Sequence, residues 1–383
     1  MNSQGQLRRI ASHRLLLPDK TLLRNPLVTI GGDGTILHIE SCDDIDRQAS
    51  TEFYDGILVP GFINAHCHLE LSHMRGLMPR RTGMAGFARA MSQLRNTAGD
   101  DARTAAAAAA AAAMYSEGIQ AVGDISNGQT SFAAKAQSPI RFANRAEIFG
   151  LGATAAAPSA ALLAERYGAV RTPHSTYSVS DSAFVQICRQ GREPLSIHFL
   201  ESPEEKELYQ GRGELARWYG ERGWNCDFLH YGTPAQRIAA SVPADRSVML
   251  VHCCCVNQED IDSIMSHFTA PVWWCLCPRS NDYITGLRPT VELLLRNGLN
   301  ICIGTDSLAS NDTLSMLAEI KALDGCMPLV EALHAATAAG AAALGFDDLG
   351  AVRVGARPGL AVISGVDFQK GRLRDDASAR RVV

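Results

Sequence analysis

Two histidines, His66 and His68, sit one residue apart at the end of an apolar run in "GFINAHCHLE". Along a strand, residues i and i+2 point the same way, so both imidazoles could face one metal ion. Taken alone, the pair could equally be two ordinary histidines on a strand. A metal site needs further ligands, and the chain offers them. His198 stands near the end of "EPLSIHFLE", His252 ends the apolar run of "RSVMLVHC" and Asp306 follows that of "LNICIGTDS", each at the close of a strand-like segment. Nitrogen and oxygen donors of this kind suit zinc and its neighbours. A lone strand-end histidine is commonly a hydrogen-bonded residue, and Asp306 could be a turn or helix-capping residue. Four such histidines and one aspartate, in order along one alternating chain, are improbable as chance.

These side chains need strands to carry them. Short apolar runs recur at 57–63, 121–125, 140–149, 195–200, 248–252, 272–276 and 300–305. Helix-like segments lie between them. The clearest is the alanine-rich stretch 104–117, ended by Gly118; alanine is the best helix former and glycine a common C-terminal cap. Others are 204–222 and 290–297. Strands alternating with helices predict a parallel α/β fold. The seven or eight units suffice for a (β/α)8 TIM-like barrel, in which active-site groups come from the C-terminal ends of the strands. A doubly wound open sheet is the competitor, but no Gly-x-Gly-x-x-Gly turn follows an early strand. Both chain ends look β instead: "LLRNPLVTIGGDGTILHIE" has a hairpin signal at Gly32-Asp33-Gly34, and "LGAVRVGARPGLAVISGVDF" is rich in glycine and valine.

Length and charge narrow the function classes. A chain of 383 residues can form one large domain and a small one. Lys+Arg 36 against Asp+Glu 40 leaves a net charge of −4, which argues against nucleic-acid binding. The 11 cysteines are odd in number and many lie in apolar runs, which predicts reduced, buried thiols in a cytoplasmic protein. "HCCCV" and "WWCLC" make no second metal site, because adjacent cysteines on a strand face opposite ways and no Cys-x-x-Cys pair exists. "RRIASHRLLLPDK" does not read as a signal peptide, and no apolar run is long enough to span a bilayer. The expectation is a soluble protein with no nucleic-acid or membrane partner.

The segments "PGFINAHCHLE", "SIHFLESPEE", "VHC", "CPRSN" and "IGTDSLASN" resemble the amidohydrolase superfamily, in particular its branch of adenosine-, guanine- and cytosine-type deaminases and related chlorohydrolases. "TPHSTYSVS" resembles the strand-four segment of adenosine- and aminofutalosine-type deaminases, and "EALHAATAAGAAALGFDDLGAVRVGARPGLAVI" the closing helix and return to a small β domain. The resemblance covers almost the whole chain. It implies a (β/α)8 metal-hydrolase barrel over 57–347, flanked by a small β-sandwich domain built from 1–56 and 348–383. It also implies that His66, His68, His198 and Asp306 bind metal, that His252 contacts the reactive water, and that Glu201 handles protons. A plainer role for Glu201 is a helix-start carboxylate beside a Ser202 cap with Glu205 as its capping-box partner. Two-metal members bridge their ions with a carboxylated lysine on strand four. Here no lysine lies between residues 136 and 205, and His174 stands at the strand-four position. The expectation is therefore one divalent ion, zinc first, with iron and manganese as alternatives that the same donors suit, and His174 as a substrate-binding residue. Glu70, His73, Arg75, Arg279, Ser280, Asn281, Ser307 and Asn311 are further candidates for substrate contact. Cys67 should point away from the metal.

The chemistry follows. Displacing an amino group from an amidine-like carbon needs a strong nucleophile, and a bound divalent metal lowers the pKa of water from about 16 toward about 7. Asp306 and His252 could hold that water and accept its proton, while Glu201 protonates the ring nitrogen and the leaving ammonia. The expected function is hydrolytic deamination of an aminopurine-like N-heterocycle, with a 6-aminopurine nucleoside the first guess. A chlorohydrolase or cyclic-amide hydrolase using the same site is the alternative, then a non-catalytic homologue. A homodimer is allowed.

Overall fold

The computed structural model describes residues 7–42, 50–151 and 157–383. Residues 1–6 and 43–49 of the expected N-terminal domain segment lie outside the described residues. The chain begins with β1 (Arg8–Leu16), β2 (Leu22–Arg24), β3 (Pro26–Ile30), β4 (Ile36–Ser41) and β5 (Thr51–Pro60). Eight strands follow: β6 (Phe62–Cys67), β7 (Ile119–Ser126), β8 (Arg141–Ile148), β9 (Val170–Pro173), β10 (Leu195–Phe199), β11 (Val248–His252), β12 (Val272–Leu276) and β13 (Asn300–Ile303). The chain closes with β14 (Leu360–Asp367) and β15 (Arg372–Arg381).

Both chain ends contribute to one seven-stranded sheet in the order β15-β14-β5-β1-β3-β4, with β2 added on β1. The β3–β4 hairpin turns where Gly32-Asp33-Gly34 predicts it. Gly34 has φ +85°, and the Asp33 carboxylate accepts the Thr35 N–H at 3.0 Å. Ile10, Leu15, Val28, Leu58, Leu360 and Val362 give this sheet its own apolar core.

The run 57–63, expected as one strand, is two. Ile57 to Pro60 pair with β14, whereas β6 pairs with β7. The break falls at Gly61, after a proline and against the Pro358 carbonyl, where a Cβ would sit 2.8 Å from that oxygen. The helix Asp100–Glu117 starts four residues before the expected 104, with Asp100 and Asp101 in its first turn, where acidic groups complement the helix dipole. Gly118, at φ +111°, caps it. The expected helix 204–222 is also two, Pro203–Tyr209 and Gly213–Glu221, parted by Gly211 and Gly213 at φ +68° and +89°.

The middle of the chain is α/β with two parallel four-stranded sheets, β6-β7-β8-β9 and β10-β11-β12-β13. They meet at two seams. At one, the His198 N–H donates to the His174 carbonyl at 2.9 Å. At the other, the N–H groups of Thr305 and Asp306 donate to the His66 carbonyl at 3.0 and 3.1 Å. Gly304 permits this second approach: a Cβ there would lie 2.8 Å from Cβ, N and O of His66. Asn64 locks the same seam, donating to Thr305 Oγ1 (2.7 Å) and accepting the Thr305 N–H (3.1 Å). Cys67 is buried in the apolar core beside Leu69 and Val122. All 11 cysteines are unpaired. Among the described residues, no helix is long and apolar enough to cross a membrane.

Candidate active site

The C-terminal ends of three strands place four candidate metal-binding residues together. His66 and His68 come from the end of β6, His198 from β10, and Asp306 from just past β13. One donor atom from each lies within 4.8 Å of all the others. Asp306 Oδ1 is 3.4 Å from His68 Nε2 and 3.8 Å from His66 Nε2. His66 is fully buried and neither of its ring nitrogens has a hydrogen-bond partner. Leaving such groups unmatched is costly, and coordination of a cation relieves it.

The remaining atoms of the cluster are held. His198 donates its Nδ1–H to the His174 carbonyl at 2.8 Å, which turns a lone pair on Nε2 toward the centre. Asp306 Oδ2 accepts from Ser280 Oγ (2.7 Å) and Ser310 Oγ (2.5 Å), leaving Oδ1 to the histidines. Burial lowers His68 to about 3 and His198 to about 4, so both rings are neutral near pH 7, the form that binds metal. Burial works to raise the Asp306 carboxyl, but the surrounding imidazoles, His68 foremost, hold it below the usual carboxylate range. The donor set fits a divalent ion. Leu200, His252, Cys253 and Asp306 all adopt left-handed backbone (φ +48° to +83°), a conformation that non-glycine residues keep where the surrounding structure imposes it.

Glu201 and His252 face this cluster. His252 Nε2 is 3.6 Å from Glu201 Oε1 and has no hydrogen-bond partner. The Asn281 side-chain amide donates to His252 Nδ1 at 3.0 Å. Glu201 is 3% exposed, and burial, reinforced by the charges of Asp306 and Glu205, raises its pKa well above the ordinary carboxyl value. Ser202 does cap the following helix, accepting the Glu204 N–H at 3.1 Å. Glu205, however, does not complete a capping box. Its carboxyl accepts the Glu201 N–H (3.1 Å) and the Thr176 hydroxyl (2.5 Å), so it fixes the backbone beneath Glu201.

Burial pushes Glu205 from 4.5 up to about 8. A raised carboxyl stabilises the fold while protonated, so its contribution is full below the unfolded pKa and is lost as pH rises toward the folded one. Glu205→Gln is therefore expected to flatten the pH dependence of thermal unfolding between about pH 5 and about pH 8, where the wild type loses on the order of a few kcal/mol. Parallel melting curves across that range are the check; identical slopes would exclude Glu205 as the titrating group.

A cavity of about 450 Å³ opens over the cluster. His68, His174, His198, Glu201 and Asp306 line its polar floor, and Arg95, Asn127 and Glu147 one wall. Met84, Phe87, Leu215, Trp218, Tyr219 and Trp224 form an apolar wall. His174 stacks on His198 with ring centroids 4.4 Å apart, and its Nδ1 meets Ser178 Oγ at 2.7 Å.

A model of the amidohydrolase family matches residues 57–382. The chain belongs to the amidohydrolase family. It is 25% identical over 375 residues to an aminodeoxyfutalosine deaminase of Nitratiruptor sp., covering 91% of this chain and 89% of that protein. Among solved structures, Helicobacter pylori aminofutalosine deaminase in complex with methylthio-coformycin superposes with a TM-score of 0.77, at 25% identity over 94% of this chain and 93% of that one. An adenosine deaminase from Xanthomonas campestris with bound zinc gives 0.72, at 21% identity over 97% and 87% of the two chains. This amidohydrolase is a metal-dependent hydrolase acting on C–N bonds.

Several residues expected to touch substrate in the amidohydrolase do something else. Glu70 is absent from the cavity lining; it accepts from Arg95 Nη2 (2.5 Å) and from the N–H groups of Asn127 (3.0 Å) and Gly128 (2.8 Å). Arg75 is exposed and also outside that lining. Ser280 and Asn281 are buried supports of Asp306 and His252 rather than cavity-lining groups. Asn311 likewise holds the Thr305 carbonyl (3.0 Å). Ser307 and His174 do line the cavity. Glu147 and Arg95 are cavity residues that the sequence reading missed. Glu147 sits near the end of its strand as His198 does, so the strand-end rule could have found it; Arg95 follows a helix and carries no such signal.

Proposed function

We propose that this amidohydrolase is a one-metal hydrolytic deaminase that releases ammonia from an aminopurine-like substrate, a 6-aminopurine nucleoside first among them. The observation that carries the reading is Glu201, a buried carboxyl with a raised pKa that faces the cavity beside, but not within, the four-ligand cluster. Zinc is the favoured ion, with iron and manganese as alternatives for the same donors. When bound to His66, His68, His198 and Asp306, such an ion supplies Lewis acidity and brings the pKa of a water from about 16 toward about 7.

The protein's own groups do the rest. With Asn281 donating to Nδ1, His252 carries its proton on Nε2 and holds the oxygen of the attacking water. Asp306 accepts the first proton of that water. Glu201, whose protonated form burial favours, donates its proton to the ring nitrogen beside the attacked carbon, then takes the second proton of the former water from the new C–OH group and passes it to the departing amine. The proton held by Asp306 then returns to Glu201, so over one turnover a C–O bond replaces the C–N bond and the two protons lost by water match those gained by the ring nitrogen and by ammonia. His174, stacked on His198, positions the ring, and the apolar wall excludes bulk water.

This reading takes the eight parallel strands as a closed (β/α)8 barrel over 57–347, joined at the two seams. Residues 1–56 and 348–383 then form a small β-sandwich domain, supported by the separate apolar core of the end sheet. Unpaired thiols support a cytoplasmic location. A homodimer is compatible with it, and sedimentation of the purified chain decides that point.

Metal content and ammonia release across a panel of aminopurines, pterins and aminopyrimidines test the proposal. One metal per chain with ammonia from an aminopurine is expected. A metal-loaded protein that releases none from any of them overturns it; chloride release or cyclic-amide opening would then identify the alternative hydrolase.

A further inference from the structure

Glu147, in the cavity wall at the end of β8, is 3% exposed. Its two carboxylate oxygens are not equivalent. Oε2 accepts from the Asn127 side-chain amide at 3.1 Å, whereas Oε1 is buried with no hydrogen-bond partner. The surroundings explain why nothing from the protein reaches it. The nearby His198 Nδ1, at 3.9 Å, already donates to the His174 carbonyl at 2.8 Å. Asn127 cannot turn toward Oε1, because its own Oδ1 accepts from Arg95 Nη2 at 2.7 Å. Arg95 in turn is fixed by Glu70 at 2.5 Å. The series Glu70, Arg95, Asn127 and Glu147 thus alternates acceptors and donors and ends on one buried, unpartnered acceptor of a cavity-lining residue.

Neither the fold nor the metal cluster uses that oxygen. Leaving a buried carboxylate oxygen unmatched is unfavourable unless a ligand supplies a donor. Its place says which part of the ligand. Glu147, His174 and His198 each offer an atom within 4.8 Å of the others. Oε1 lies on the Nδ1 side of His198, across the imidazole from the metal-binding Nε2. The reacting carbon must sit near the metal, so Oε1 meets a substituent of the ring rather than the amidine carbon.

We propose that Glu147 is a specificity-determining residue that accepts a hydrogen bond from a sugar hydroxyl of the substrate, so that nucleosides are taken over free aminopurine bases. The inference rests on the aminopurine reading above. Burial raises the Glu147 pKa, so the effect belongs to the pH range in which the carboxyl is ionised; there a hydrogen bond to it corresponds to about 10- to 100-fold in kcat/KM. Replacement by glutamine has a particular consequence. Asn127 must keep its donor partner, so the glutamine oxygen turns to Asn127 and its NH2 takes the open position, reversing the polarity presented to substrate.

The test compares wild type, Glu147→Met and Glu147→Gln on adenosine, its 2′-, 3′- and 5′-deoxy forms and adenine, with metal content measured for each protein. In the wild type, removing one of the three hydroxyls should lower kcat/KM by about 10- to 100-fold. In Glu147→Met that ratio should collapse toward one with one metal equivalent retained, and in Glu147→Gln it should shrink. If Glu147→Met fails to fold, the glutamine variant alone decides. A wild type that discriminates with no change in either variant, or that ignores all three hydroxyls, overturns the inference while the deaminase reading stands. Loss of a second metal equivalent in the variants would assign Glu147 to a cation and overturn it as well. A wild type inactive on every purine overturns both.

Discussion

Glu201→Gln is expected to keep its metal and to lose about 10²- to 10⁴-fold in ammonia release, the range that general acid–base groups command. The geometry favours a clean result. Glu201 is not one of the four clustered donors, and its backbone N–H is anchored on Glu205 at 3.1 Å, so glutamine takes the same place with the same volume. What it loses is a proton that can leave and return. Burial favours the protonated form of the wild-type carboxyl, so the acid limb of catalysis is lost as pH rises through that raised pKa. The variant should lack this limb altogether. Turnover and metal content across pH, measured on both proteins, check it; a variant with wild-type turnover would remove Glu201 from the proton path.

Asp306→Asn is expected to affect both metal and turnover, and more deeply than loss of a supporting residue, which typically costs about 10- to 100-fold in affinity. The carboxylate gives Oδ1 to the cluster and is the group assigned the first proton of the water. Wild type stripped by a chelator should therefore regain activity on adding zinc, while the Asp306→Asn variant should stay inactive even when saturated. Ser280→Ala and Ser310→Ala, which each remove one hydrogen bond to Oδ2, should fall between the two. Metal titrations followed by ammonia assays separate these cases. Recovery of Asp306→Asn at high zinc would leave Asp306 as a ligand only.

The cluster of His66, His68, His198 and Asp306 was legible because each member stands at or just past the end of a strand-like segment, and a run that is buried on both faces announces a strand without any tertiary knowledge. Its supports were not. Ser280 and Asn281 look in sequence like loop residues open to substrate, and only the path of the chain after β12 turns them onto Asp306 and His252. Glu70 follows the His-x-His so closely that proximity suggested substrate contact, yet Arg95, 25 residues on, claims it. The boundaries missed at Gly61 and at Gly211 share one cause: apolar and helical patterns ran through them, and a close backbone approach or a left-handed turn decided otherwise. β9, "VRTP", has too little apolar character to be read from its pattern.

The four clustered donors do not all belong to the same sheet. His66 and His68 come from β6, whereas His198 and Asp306 belong with β10 and β13 across the seam that Gly304 makes possible. An ion bound there is a rivet as well as a reagent. Binding to the native state alone raises unfolding free energy by RT ln(1 + [M]/Kd), about 4 kcal/mol at a thousandfold excess over Kd. Scarcity of metal would then deplete the enzyme twice, by idling each molecule and by exposing the chain to proteolysis, so that its abundance follows the supply of the ion.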